Sequence, residues 1–254
     1  MLAAERRRII SERLKATGQV VVSALSAEYE VSEETIRRDL EWLEKEGIAV
    51  RIYGGAVLAG NDRVSPPYSI RKNTNVEPKV AIARLLAKVL KDGDTLMVDE
   101  SSTAAYAIRA IRHLKNITLI TNSLELLREL TGQDSWHVIS TGGTLKPDVL
   151  AQVGPHALRT VTSYHVGYAI LSCRGINAEL NLADSDDDVV QIKQAMIRSC
   201  DCPILLADHR KFDRNGLVTL GQVGMLKKLI TDRAPTPEWQ KKLQASGVEL
   251  IYQD

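Results

Sequence analysis

Arg37 and Arg38, followed a dozen residues on by Arg51, Tyr53, Gly54 and Gly55, carry the chemistry of a nucleic-acid reader. A guanidinium presents donors in a planar fork that fits a guanine edge or a phosphate. Ser32 stands just ahead and can cap a helix by accepting from its first free N–H groups. Ile36, Leu40 and Leu43 at i, i+4 and i+7 make a narrow apolar stripe that must face a core. Arg37 and Arg38 then project away from that core beside Thr35, at the end of a recognition helix that meets base edges in the major groove. Glu33 and Glu34 suit the positive end of the helix dipole and are read as capping residues.

A second group of polar residues ends short apolar runs farther along: Asp99-Glu100-Ser101-Ser102-Thr103, Thr121-Asn122-Ser123, Thr141-Gly142-Gly143-Thr144 and Asp208-His209-Arg210-Lys211. Hydroxyls and backbone N–H groups at a helix start make an anion site. Paired glycines allow either a close backbone approach or a tight turn.

The elements that must position these groups are legible from spacing. Ile9, Ile10 and Leu14 mark a helix over Glu5 to Lys15 that Thr17-Gly18 stops, and Val20-Val21-Val22 leads to Ser23, a second capping candidate. A short helix with Leu25 and Tyr29 precedes the recognition helix, and a hairpin from about Ala49 turns at Gly54-Gly55. That order is a winged helix-turn-helix. Residues 1–60 hold 9 Lys and Arg against 10 Asp and Glu, a net charge of −1, so the unit lacks an overall basic footprint. Its positive charge is concentrated in Arg6-Arg7-Arg8, Arg37-Arg38 and Arg51.

From Leu58 to Pro78 no apolar period is sustained, which predicts a linker, and Lys79 to Ala87 opens an amphipathic helix. The expected division is therefore 1–57, a linker over 58–78, and a larger domain over 79–254. There, apolar runs at 95–98, 117–120, 137–140, 169–172, 203–207 and 228–231 alternate with helical stretches, among them 103–112, 123–130 and 189–200. Such alternation predicts an α/β domain with a mostly parallel sheet, whose ligands sit beyond the carboxyl ends of the strands. With 254 residues, 44% of them apolar, the chain can fill one substantial core and a small one. It has no apolar run of membrane-spanning length and no signal peptide, which predicts a cytoplasmic protein without a membrane partner. Cys173, Cys200 and Cys202 lack metal-ligand spacing, so neither metal nor cofactor is expected.

On these motifs the chain resembles the DeoR family of bacterial transcriptional repressors. Val31–Leu40 matches its recognition-helix signature and Arg51–Ala56 its wing. The resemblance implies DNA contacts from Ser32, Thr35, Arg37, Arg38, Arg51, Tyr53, Gly54 and Gly55. It extends to the larger domain, since the family's effector domains are similar to ribose-5-phosphate isomerase and related enzymes. Matching positions are Asp99 with Ser101, Ser102 and Thr103; Thr121, Asn122 and Ser123; Thr141, Gly142 and Gly143; and Asp208, His209, Lys211 and Phe212. The implied function is a repressor of a carbohydrate-catabolism operon, bound to operator DNA as a homo-oligomer (dimer or tetramer) and released by a phosphorylated sugar. Ser101, Ser102 and Thr103 would hold the phosphate, Lys211 supply a counter-charge, and Asp99 or Asp208 accept sugar hydroxyls.

The match has departures. Ser101 stands where glycine is frequent, and Glu100 adds a carboxylate beside the expected phosphate, favouring a less charged ligand. A glutamate is usual four residues before Lys193, but Val189 stands there and no ligand role is transferred to it. Ser172-Cys173-Arg174-Gly175 lacks the acidic cluster that the isomerases use as general base, which argues against turnover. The alternative is an isomerase-like enzyme with an appended DNA-binding domain.

Overall fold

The computed structural model describes residues 1–52, 54–58 and 66–253, apart from the side chain of Ile52. It forms two compact units, Met1–Thr74 and Asn75–Asp254.

The first unit runs α1 (Ala3–Thr17), β1 (Gln19–Val21), α2 (Val22–Tyr29), α3 (Glu33–Lys45), β2 (Ala49–Ile52), β3 (Gly55–Leu58) and α4 (Tyr68–Arg71). Gly18 ends α1 in the left-handed region, with its N–H returned to the Leu14 carbonyl. Ile36, Leu40 and Leu43 of α3 face a core with Ile10, Leu14 and Leu25, as their spacing requires. The wing is a three-stranded antiparallel sheet, β1–β3–β2. Two expectations are corrected here. Ser23 does not cap α2: the helix starts after Val21, and the Val22 N–H is held by the Gly54 carbonyl at 2.7 Å, so the β-branched run joins the wing instead. The stretch read as linker holds α4, with Tyr68 and Ile70 buried. Gly55 permits the wing's closest approach, because a Cβ there would stand 2.1 Å from the Val20 carbonyl oxygen.

The second unit contains α5 (Val76–Leu86), β4 (Thr95–Val98), α6 (Ser102–Ala110), β5 (Thr118–Thr121), α7 (Leu124–Glu129), β6 (His137–Ser140), β7 (Thr144–Lys146), β8 (Ala151–Val153) and α8 (Pro155–Thr162). It continues with β9 (Val166–Leu171), β10 (Gly175–Ile176), β11 (Asn181–Asp184), α9 (Asp187–Arg198), β12 (Cys200–Leu206), β13 (Val218–Gln222), β14 (Lys228–Ile230), α10 (Pro237–Ala245) and β15 (Glu249–Ile251). Seven strands form one sheet in the order β15-β14-β12-β9-β4-β5-β6, and every pairing is parallel. Met97, Ala169, Leu171 and Leu205 pack on one face with α8, α9 and α10, while Leu96, Val98, Ile170, Ile204 and Leu206 pack on the other with α5, α6 and α7. Burial on both faces explains why these strands read as unbroken apolar runs. The hairpin β7–β8 and the small antiparallel sheet β10-β11-β13 interrupt the alternation. The strand order reverses between β4 and β9, and a doubly wound sheet opens its crevice at that switch point.

Candidate functional site

In the first unit, Ser32 caps α3: its Oγ accepts from the Thr35 N–H at 3.2 Å and lies 2.9 Å from the Thr35 hydroxyl. With one side of α3 buried, Arg37 and Arg38 stand exposed in its first two turns. Each has a local partner, Arg37 on Glu33 and Arg38 on Glu34 at 3.4 Å. Arg51 is tied to the same helix. Its backbone N–H and its Nε donate to the two carboxylate oxygens of Glu44, at 2.9 and 2.7 Å. These bonds, led by the backbone one, hold the Glu44 carboxyl below its ordinary range. The wing is thereby clipped to the recognition helix. Tyr53 lies outside the described residues.

Asp39, on the opposite side of the same helix, is 1% exposed and receives Arg6 at 2.5 Å and Arg7 at 2.7 Å. Arg6 is itself buried, and Arg7 also lies over the Trp42 ring at 5.1 Å. Arg6 and Arg7, two of the residues in which the unit's positive charge is concentrated, therefore fasten α1 to α3. A buried guanidinium needs its carboxylate, and both residues are occupied inside the fold.

In the second unit, Asp99 follows β4 and Ser172 follows β9, on either side of the switch point. Asp99 accepts from the Ser101 N–H at 2.9 Å and the Ser172 N–H at 2.8 Å. Lys193, projecting from α9 and 2% exposed, reaches Asp99 at 3.3 Å, Glu100 at 3.2 Å and Asp184 at 2.7 Å, and donates to the Ser172 carbonyl at 2.9 Å. Burial alone would lower the affinity of this ammonium for its proton, but Asp184, Glu100 and Asp99 outweigh it and raise the pKa well above the ordinary lysine value. Lys211 donates to the Ser172 hydroxyl at 2.5 Å, which in turn donates to the Leu206 carbonyl at 2.6 Å. Asn122, after β5, points its amide N–H toward Glu100 at 3.5 Å, while its Oδ1 is buried and accepts no hydrogen bond among the described residues. A single chain of contacts thus runs Asn122, Glu100, Lys193, Asp99, Ser172, Lys211.

The two halves of the chain match two family descriptions: the DeoR-like helix-turn-helix domain over residues 6–61 and the DeoR C-terminal sensor domain over residues 74–233. The chain belongs to the DeoR family. It is 38% identical to the HTH-type transcriptional regulator YulB of Bacillus subtilis (strain 168), over 98% of this chain and 96% of that one. It is 31% identical to the glycerol-3-phosphate regulon repressor of Escherichia coli (strain K12), over 98% of this chain and 99% of the relative. Among solved structures, ribose-5-phosphate isomerase A of Methanocaldococcus jannaschii aligns with a TM-score of 0.41 and 17% identity, covering 55% of each chain.

This DeoR-family regulator joins a DNA-binding winged helix to a sensor domain, and the sensor residues named from sequence divide into two sets. Asp99, Asn122 and Lys211 meet around Glu100 and Ser172. Several others serve the backbone: Ser101 and Ser123 cap α6 and α7, Thr121 donates to the Val98 carbonyl at 2.7 Å, and Asp208 holds the Arg210 N–H at 3.1 Å. Ser102 and Thr103 lie in the first turn of α6, both buried. Gly142 and Gly143 both adopt positive φ, and a Cβ on Gly143 would stand 2.5 Å from the Val153 carbonyl oxygen, so the close-approach reading holds there.

Two residues of the DeoR-family sensor domain carry contacts that the sequence assigned them no role in. Lys193 enters the sequence reading only as the residue four positions after Val189, yet it is the cation on which three strand-end carboxylates converge. His209 donates its N–H to Asp232 at 2.7 Å, and its ring stands between Asp232 and Arg233, 2.7 Å from each. Burial raises the Asp232 carboxyl, but the His209 backbone and ring donors outweigh it and lower the pKa. The signal for Lys193 lies in α9: a lone lysine among Val189, Val190, Ile192, Ala195 and Met196 sits on an apolar face and must have buried counter-charges.

Proposed function

We propose that this regulator represses a carbohydrate-catabolism operon in the cytoplasm and leaves its operator when the sensor domain binds a phosphorylated sugar. The effector's phosphate is received at the start of α6 by Ser102 and Thr103, with Lys211 as counter-charge. The sugar hydroxyls meet the polar cluster around Glu100 and Asn122. The observation that carries this reading is the chain of contacts beside the switch point that links Lys211 through Ser172, Asp99, Lys193 and Glu100 to Asn122, whose buried oxygen accepts no hydrogen bond among the described residues. A buried acceptor left unpaired costs about 1–3 kcal/mol, which a ligand hydroxyl would recover. The three carboxylates around Lys193 carry more charge than it neutralises, which supports placing the phosphate on the Lys211 side.

Calorimetry with a panel of sugar phosphates tests the proposal. Lys211→Ala is expected to weaken effector binding at least about 10-fold, the scale of a lost charge-assisted hydrogen bond, and to leave DNA affinity unchanged. Failure of every phosphorylated sugar to bind the parent overturns the reading.

On the DNA side, Ser32, Thr35, Arg37 and Arg38 form the proposed reading face, with Arg51 and Gly54 of the wing against the DNA backbone and Gly55, buried beside Val20, supporting the wing turn. Arg38→Ala is expected to lose roughly 1–3 kcal/mol of operator binding, the worth of a good base contact, with no loss of folding stability. Mobility-shift titration at fixed salt reads the first and thermal melting the second. One winged helix offers a small interface, so a dimer or tetramer is proposed to place two of them on paired half-sites. Light scattering that finds only monomers, with and without DNA, would count against it.

A further inference from the structure

All seven arginines of residues 1–58 have carboxylate partners within the DNA-binding unit. At the buried end this pairing is structural. On the reading face it is not required for packing: Arg37 with Glu33, and Arg38 with Glu34, are exposed pairs one helical turn apart. Exposed pairs of this kind are weak and exchange partners readily. The carboxylates also occupy the first turn of α3, the end that approaches the DNA, where they repel phosphates.

A guanidinium paired with a nearby glutamate meets each new partner in competition with that glutamate. A phosphate also accepts the guanidinium fork, but reaching it brings Glu33 and Glu34, in the first turn of α3, closer to the negative backbone, and that repulsion offsets the gain. A matched guanine edge offers two aligned hydrogen bonds, whereas in these pairs Glu33 takes a single hydrogen bond from Arg37 and Glu34 stands 3.4 Å from the Nε of Arg38. We propose that Glu33 and Glu34 are specificity residues of this DNA-binding unit, holding Arg37 and Arg38 in pairs that a matched base edge displaces and a random phosphate does not. The net charge of −1 over residues 1–60 follows the same pattern, since sequence-independent attraction is kept low throughout the unit. The inference rests on Arg37 and Arg38 being the base-reading residues.

The test compares two duplexes, one selected by the full-length protein from a random pool and a scrambled duplex of the same composition, at physiological salt. Glu33→Gln/Glu34→Gln is expected to tighten binding to the scrambled duplex about 10-fold and to steepen its salt dependence by roughly one to two ions, one per arginine freed. Affinity for the selected duplex should change by less, so the ratio between the two falls. An unchanged ratio, whether both affinities stay put or both tighten equally, overturns the inference. Thermal melting confirms that the variant is folded. If the double variant is not folded, Glu34→Gln alone keeps Glu33 in the first turn and carries the test with about a 3-fold effect. Arg38→Ala separates the two possible failures: no effect on selected-duplex affinity removes the base-reading assignment, whereas an effect there with an unchanged ratio in the glutamine variants removes only the specificity role.

Discussion

Lys193→Met lowers the stability of the sensor domain by about 3–5 kcal/mol, the cost of stripping a buried ion network of one partner. The size follows from what stays behind. Asp99 is fully buried, Glu100 nearly so, and Asp184 mostly, and methionine leaves all three without the cation they share. Methionine matches the lysine stem in length, so lost packing contributes little. The sign of the pH dependence is fixed by the direction of the shift. The Lys193 pKa is raised in the fold, so its contribution is complete below the ordinary lysine value of 10.5 and is lost as pH rises through the raised value. Stability drawn from this group is therefore flat across the neutral range. Urea unfolding in a Trp42→Phe background isolates the sensor domain, because Trp136 and Trp239 both report from it. A loss under about 1 kcal/mol would show that the cage does not depend on its ammonium. Operator binding by the DNA-binding unit should survive the change while response to any effector disappears.

Asp39→Asn produces the second large effect, about 3–5 kcal/mol taken from the DNA-binding unit. Arg6 is 5% exposed and has Asp39 at 2.5 Å, so the neutral amide leaves a buried guanidinium uncompensated and loosens α1 from α3. Operator affinity then falls because less of the unit is folded, not because a contact to DNA is gone. Measured by calorimetry as the transition of this unit, melting should come earlier in Asp39→Asn and at the parental temperature in Arg38→Ala, although both weaken DNA binding. Equal melting of Asp39→Asn and the parent would put Asp39 outside the fold's support and leave its burial without consequence.

The domain order, the recognition helix and the parallel sheet could all be read along the chain, because each rests on local periodicity. Ile36, Leu40 and Leu43 repeat with the helical turn, Ser32 supplies a cap within three residues of the N–H it receives, and the strands at 95–98 and 203–207 are apolar throughout because both faces are covered. Sequence spacing also placed Asp99, Asn122 and Lys211 at strand ends, and a doubly wound sheet gathers strand ends at one edge. Only the tertiary structure decided which charges are enclosed as fasteners and which stand exposed. Arg6 and Arg38 are the same residue type in the same unit; one is enclosed against Asp39, 33 positions away, and the other is exposed. Lys193 is separated from Asp99 by 94 positions, and no local pattern links an ammonium on one helix to carboxylates on other strands. Periodicity says which face of an element is buried, but the partner of a buried charge is set by how distant elements pack, and pairing between distant elements carries no signature in sequence spacing.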